Sequence, residues 1–254
     1  MQLNNIYLKP NELSIHSFAN GFSFSTFSEV HFYEINDKKK SSNEFLEWLN
    51  KKKLIIKKSS LLYFSYPPAI IPEILFDEKK AKYYLESSIK LEDKVIKYDL
   101  IPKTNQAIVY YENDGNVKLL NEFFPAIKSK HFVTFLIEEL SYRSNGKLKK
   151  QLYINLRKDY FEIFLFQSSQ LLLFNTYNHK NEDDFLYFLL YITEIHHLDS
   201  KEFTITFLGK YSIFNNYYKS IKDYHSDSNF LISSCNKKKI ESHQSPFFCN
   251  LHKE

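Results

Sequence analysis

The chain has 254 residues, 43% of them hydrophobic and 17% aromatic, with 34 basic and 30 acidic residues giving a net charge of +4. That apolar content rules out wholesale disorder and suffices for one large domain or two modest ones. The charges are too balanced for a dedicated nucleic-acid domain, whose basic residues concentrate on one face.

The lysines are scattered at Lys38–Lys40, Lys51–Lys53, Lys57–Lys58, Lys147 to Lys150 and Lys237–Lys239. Each run falls at an element boundary or in a loop, where a solvated surface explains it. Two cysteines, Cys235 and Cys249, make no disulfide framework. No basic-then-apolar leader opens the sequence, and its longest apolar run, Phe185 to Ile192, is too short to span a bilayer. These features together predict a cytoplasmic protein without a transmembrane segment.

In chain order, Leu13 to Phe18 and Phe22 to Phe27 alternate apolar and small polar residues around Asn20-Gly21, a hairpin signature. Val30 to Ile35 adds a third strand of the meander. After the break at Lys38–Ser42, Ser42 or Asn43 caps a short helix through Phe45, Leu46, Trp48 and Leu49. Leu61 to Tyr66 reads as a strand buried on both faces and ended by Pro67-Pro68. A helix is expected over Lys79 to Ile89, started by Asp77, with Ala81, Tyr84, Leu85 and Ser88 on one face. Ile96 to Leu100 and Gln106 to Tyr111 read as strands, and Asp114-Gly115 as a turn before a helix from Val117 to Phe124. Phe132 to Tyr142 fits strand or helix.

Beyond Ser144-Asn-Gly-Lys147 the pattern restarts. Leu152 to Leu156, Tyr160 to Phe166 and Leu171 to Thr176 form a second meander, with a turn at Arg157-Lys158-Asp159. Asn181 caps a strongly apolar helix from Glu182 to about His197, whose apolar positions exceed one stripe, so it is expected to pack against other elements on more than one side. A strand at Phe203 to Leu208, a helix from Phe214 to Asp223 and a short strand at Phe230 to Ser233 follow. The second copy begins about 139 residues after the first by the alignment of Leu13 and Ile15 with Leu152 and Ile154. A repeated meander followed by alternating helices and strands predicts two similar α/β lobes of mixed sheet with covering helices. The boundaries expected are 1–146 and 147–234 for the lobes, with 235–254 a polar, flexible tail.

That doubled order resembles the actin-like ATPase (ribonuclease H-like) superfold, including the PilM- and GspL-type adaptors. In its words the chain is similar to the DUF3822 family of uncharacterised Bacteroidetes proteins. The likeness rests on Leu13-Ser-Ile and its meander, on Leu171-Leu-Leu-Phe-Asn-Thr-Tyr followed by Glu182-Asp-Asp-Phe-Leu-Tyr-Phe, and on Leu198-Asp, Phe203 to Gly209 and Ser212-Ile-Phe. The family implies a fold and no particular activity.

Working members of the superfold place an acid at the end of each lobe's first strand, before a glycine-bearing turn that grips phosphate. The matching stretches here are Ser14 to Gly21, with one glycine and no acid, and Ile154 to Tyr160, with no glycine and Asn155 where the acid would stand. Asp159 reads as an ordinary turn residue. Only four glycines occur in the chain, and none are adjacent.

Other constellations read more simply as structure. Cys235, His243, Cys249 and His252 have no common zinc spacing. His196-His197 ends a helix, and Glu182-Asp183-Asp184 begins one, where acids favour the dipole. Aromatics between lysines suit stacked RNA bases, but they alternate within strands as core residues do. The expectation is therefore a non-enzymatic protein-interaction module on a degenerate actin-like scaffold. No catalytic, cofactor-binding or metal residue is assigned and no cofactor is expected; the partner is a protein, and nucleotide is not the expected ligand. The alternatives are a nucleotide-responsive switch or enzyme with unfamiliar cleft residues, and an RNA-associated protein.

Overall fold

The computed structural model describes residues 8–9, 11–18, 21–26, 30–34, 47–48, 50, 55–65, 67–92, 94–112, 120, 123–208 and 211–230. They fall into two compact units, and the division comes after Phe135.

In the first unit, β1 (Glu12–Phe18), β2 (Gly21–Ser25), β3 (Val30–Glu34), β4 (Lys58–Tyr63) and β8 (Lys128–His131) form a five-stranded sheet in the order β3-β2-β1-β4-β8. β1–β2 and β2–β3 are antiparallel, whereas β1–β4 and β4–β8 are parallel. Strand alternation puts Leu13, Ile15, Phe24, Leu61 and Tyr63 into one buried cluster. The sequence reading missed β8, because Lys-Ser-Lys-His has no apolar pattern. It also placed the strand ending at Tyr63 several residues too late, at Leu61 to Tyr66.

Between β4 and β8 the chain inserts an antiparallel three-stranded sheet, ordered β5-β7-β6, from β5 (Ala69–Pro72), β6 (Val95–Ile101) and β7 (Gln106–Glu112). The helix expected over Lys79 to Ile89 is instead a 3₁₀ turn at Glu78–Lys80 and a single α turn, α1 (Tyr83–Glu86). Asp77 does cap it, accepting from the Lys79 N–H at 3.0 Å. Only Ala81 and Leu85 on this segment are buried, against Val109. Two anchoring side chains bury too little apolar surface to hold a longer helix.

Two polar links fasten the insert to the main sheet. The Tyr63 hydroxyl on β4 donates to Glu112 on β7 at 3.2 Å, and Lys97 on β6 pairs with the same carboxylate and donates to the Tyr63 hydroxyl at 3.0 Å. Asp99 on β6 accepts from the His131 backbone N–H at 2.7 Å, the Thr134 hydroxyl at 2.7 Å and the Tyr110 hydroxyl at 3.2 Å.

The ambiguous segment after β8 is a helix, α2 (Phe132–Ser144). The second unit then repeats the first sheet. β9 (Lys150–Leu156), β10 (Tyr160–Gln167), β11 (Gln170–Asn178), β12 (Phe203–Leu208) and β13 (Ser228–Phe230) run β11-β10-β9-β12-β13, with the same two antiparallel and two parallel pairings.

α3 (Glu182–Ile195) and α4 (Tyr211–Lys222) cover one face of this sheet. Leu152, Ile154, Phe161, Ile163, Phe203, Ile205 and Phe207 meet Phe185, Leu189, Ile192, Phe214 and Ile221 there. Phe161 and Phe185 cross edge-to-face at 4.9 Å. Full burial of a side chain of this size stabilises the fold by about 1.5–3 kcal/mol.

Among the described residues no helix is long and apolar enough to cross a membrane. The chain is thus mixed α/β with two five-stranded sheets of one topology, as the pseudo-repeat predicts. The Asn20 turn, Lys38–Ser42, most of the helix expected near Trp48, the segment from Asp114 to Lys118 and the tail with Cys235, His243, Cys249 and His252 lie outside the described residues.

Candidate functional site

The superfold's chemistry would sit at the first hairpin of each sheet. In the second unit that hairpin is β9–β10. Asn155, the next-to-last residue of β9, lies opposite Glu162 of β10 and donates its side-chain amide to the Glu162 carboxylate. Both are buried, at 1% and 4% exposure. Burial pushes the Glu162 carboxyl above its usual range; the nearby Arg157 charge and the Asn155 amide pull against that without cancelling it. The acid absent from Asn155 therefore has a counterpart one strand away, sealed from solvent and already engaged.

The turn itself is tied down. Arg157 N–H donates to the Tyr160 carbonyl at 2.9 Å, and His179 N–H to the Asp159 carbonyl at 3.1 Å. The His179 ring bridges the Arg157 carbonyl at Nε2, 3.1 Å away, and the Tyr217 hydroxyl at Nδ1, also at 3.1 Å. A carbonyl only accepts, so Nε2 carries a proton. Asp159 uses its carbonyl as a turn residue would, in keeping with the sequence reading.

In the first unit, the face of β1 opposite Leu13 and Ile15 carries Ser14 and His16, flanked by Ser23 and Ser25 of β2 and Ser60 of β4, all at most 2% exposed. His16 packs on Phe64 and Phe18 at ring distances of 5.0 and 6.2 Å. Serines and a histidine, and no carboxylate, stand on this face at the strand where an acid would manage magnesium. The described residues include no cluster of three His, Cys, Asp or Glu arranged to hold a metal.

Residues read as helix punctuation take that geometry. The Asn181 side chain accepts from Asp184 N–H at 2.9 Å, and Asp184 accepts from Lys180 N–H at 3.0 Å. His196 is the C-cap of α3, and His197 follows in the left-handed region at φ 48°. Leu198 N–H reaches back to the Thr193 carbonyl at 2.8 Å, completing a Schellman-type end.

Two features went unread in the sequence. Glu162, between Phe161 and Ile163, looks like a solvent-facing strand residue; the signal against that was Phe164 and Phe166 on its own face, both 0% exposed. The other is the outer side of α3, where Tyr187, Leu190, Tyr191 and Ile195 are 65%, 43%, 46% and 49% exposed. Tyr187 and Tyr191 stack at 6.3 Å and 11°. Apolar residues beyond one stripe implied packing on several sides, and instead a second stripe faces solvent.

Solved structures share this architecture. A Bacteroides thetaiotaomicron protein with actin-like ATPase fold and unknown function matches with a TM-score of 0.72 at 23% identity, covering 88% of this chain and 91% of that one. The PilM-PilN type IV pilus biogenesis complex matches with a TM-score of 0.54 at 11% identity, covering 87% and 88%. No curated protein matches. The actin-like ATPase fold is thereby shown, and the family match extends over residues 2–227: this chain belongs to the family described as protein of unknown function (DUF3822).

Proposed function

We propose that this protein is a non-enzymatic protein-interaction module, a cytosolic scaffold of actin-like ATPase fold with altered phosphate-binding positions. The observation that carries the reading is the solvent-facing stripe Tyr187, Leu190, Tyr191 and Ile195 on α3. Phe185, Leu189 and Ile192 already anchor that helix, so the second stripe adds nothing to its own core. Contiguous exposed aromatics on a rigid helix are the composition of a contact surface, because Tyr contributes large area at low entropy cost. Ser14, His16 and Asn155, none of them a carboxylate, in the strand stretches where the superfold carries its acids agree with a scaffold relieved of phosphate chemistry. A neighbour of like fold, PilM, is known in a complex with PilN.

The test is affinity capture with the tagged full chain and with Tyr187→Glu/Tyr191→Glu, both checked for equal thermal stability. A partner held by the parent protein and lost by the variant supports the reading. Identical captured sets would remove α3 as the contact surface.

A further inference from the structure

A second surface of the same unit forms a groove with basic and aromatic lining. At the N-terminal ends of the parallel strands β9 and β12, away from the β9–β10 turn, a groove of about 690 Å³ opens between the end of α2 and the edge strand β13. Its volume falls within the range of ligand-binding clefts. Its lining contains three cations, Arg143, Lys147 and Lys149, and no carboxylate.

Two of the cations are anchored from behind. Glu139 holds the Arg143 guanidinium through both Nε and Nη2, at 2.8 and 2.7 Å, and Asp227 holds the Lys149 ammonium at 2.7 Å. The Arg143 side chain is thereby largely closed off, at 11% exposure, whereas the Lys149 side chain stays 45% exposed. Lys147 makes no ion pair among the described residues. Along its lining, the Thr206 hydroxyl and the exposed Asn229 amide make no side-chain hydrogen bond among the described residues, leaving donors and acceptors for a ligand. Tyr218 and Phe230 form an aromatic wall, with their rings edge-on at 6.0 Å.

The loop between Ser144 and Lys150 shapes the rim. Gly146 lies in the left-handed region at φ +73° with nothing within 4 Å of where a Cβ would stand, which turns the chain sharply after α2. Leu148 then projects fully exposed, at 101%. Leu148 is part of the lining, an apolar contact that a peptide side chain can use and an inorganic anion cannot.

The geometry points to an acidic peptide segment of a partner protein as the occupant, with its carboxylates on the exposed Lys147 and Lys149 and an apolar side chain against Tyr218, Phe230 and Leu148. This rests on the reading of the chain as an interaction module but uses a surface other than α3, so each stands or falls separately. Charge complementarity of this kind sets the encounter rate and selects the partner, and it weakens with salt.

The experiment is fluorescence anisotropy of the full chain with a labelled probe peptide, Glu-Glu-Leu-Phe-Glu-Asp-Glu, and with its Lys-for-acid counterpart. The acidic probe binds and the basic one does not. Lys147→Glu combined with Leu148→Glu, both exposed and without side-chain partners among the described residues, weakens the acidic probe by about tenfold or more. Tyr187→Glu/Tyr191→Glu leaves it unchanged. No binding of the acidic probe, equal binding by the rim variant, or loss of binding in the α3 variant would each overturn the assignment. So would stronger competition by pyrophosphate or ATP than by unlabelled peptide, which would make the groove a small-anion site. Should peptide binding fail while α3-dependent capture persists, the interaction module remains and only the groove is lost.

Discussion

The side-chain amide of Asn155 on β9 donates to the carboxylate of Glu162 on β10, joining two buried residues across the hairpin where related folds grip phosphate. A group so enclosed reports on itself through stability. Burial raises the Glu162 pKa in the folded state, so the folded protein favours the protonated acid. The stabilising contribution is present below the unfolded value near 4.5 and is lost as pH rises through the higher folded value. Glu162→Gln cannot ionise and does not show that loss. Urea unfolding between pH 4 and 7 should therefore find parent minus variant stability falling with pH. A difference that rises instead would mean that Arg157 outweighs burial.

Asp99 carries the link between the inserted sheet and the main sheet of the first unit. It is the common acceptor for His131 N–H and the Thr134 and Tyr110 hydroxyls. Asp99→Ala leaves these donors without their acceptor and should cost on the order of 3 kcal/mol, since each orphaned buried group costs about 1–3 kcal/mol. Asp99→Asn keeps a carbonyl acceptor and should lose less. Equal stability of parent and Asp99→Ala in urea would show that the Asp99 link adds nothing to the apolar contacts and the Tyr63–Glu112–Lys97 link.

Where sequence and fold agree, local chemistry and burial point the same way. Leu13 and Ile15 alternate with Ser14 and His16 because one strand face meets an apolar cluster and the other a buried polar layer, and Leu152 and Ile154 repeat the apolar face. The doubled topology was legible from this alternation. β8 was not, because Lys128 to His131 joins the sheet through backbone pairing with β4 and its side chains carry no period. β5 was hidden for a related reason: Ala69-Ile-Ile-Pro72 is four residues long and follows two prolines. The altered acid position at Asn155 could be read from the sequence, while its partner Glu162 could not. A lone acid in a strand betrays burial only through the residues covering its face.

α3 offers a test of which side of a helix is core. Phe185 is 0% exposed and packs on Phe161, Phe207 and Tyr217, so Phe185→Ala should destabilise by about 3–5 kcal/mol. Tyr187, two residues on, is 65% exposed, and Tyr187→Ala should stay within about 0.5 kcal/mol. Denaturant midpoints of the two variants check both values. A Tyr187→Ala loss approaching that of Phe185→Ala would mean that the outer stripe is buried in solution, as in a self-association whose midpoint shifts with protein concentration.

Nucleotide provides the sharpest separation between a scaffold and a switch. A ligand at a hundred times its dissociation constant stabilises the folded state by about 2.7 kcal/mol. For a chain of this length each kcal/mol moves the thermal midpoint by about 2–4 °C, so binding at millimolar ATP with magnesium would be plain. The expected outcome is an unchanged midpoint. Arg157 N–H at the β9–β10 turn already binds the Tyr160 carbonyl, and the Glu162 carboxylate is committed to Asn155 beneath the surface. Lys158 is exposed and attracts phosphate by charge alone, so a shift that vanishes in moderate salt and ignores magnesium is surface attraction and leaves the scaffold reading standing. A shift that requires magnesium, survives salt and disappears in Asn155→Ala or Asp159→Ala would instead place a working phosphate site at this hairpin. The switch would then displace the scaffold as the reading of the fold.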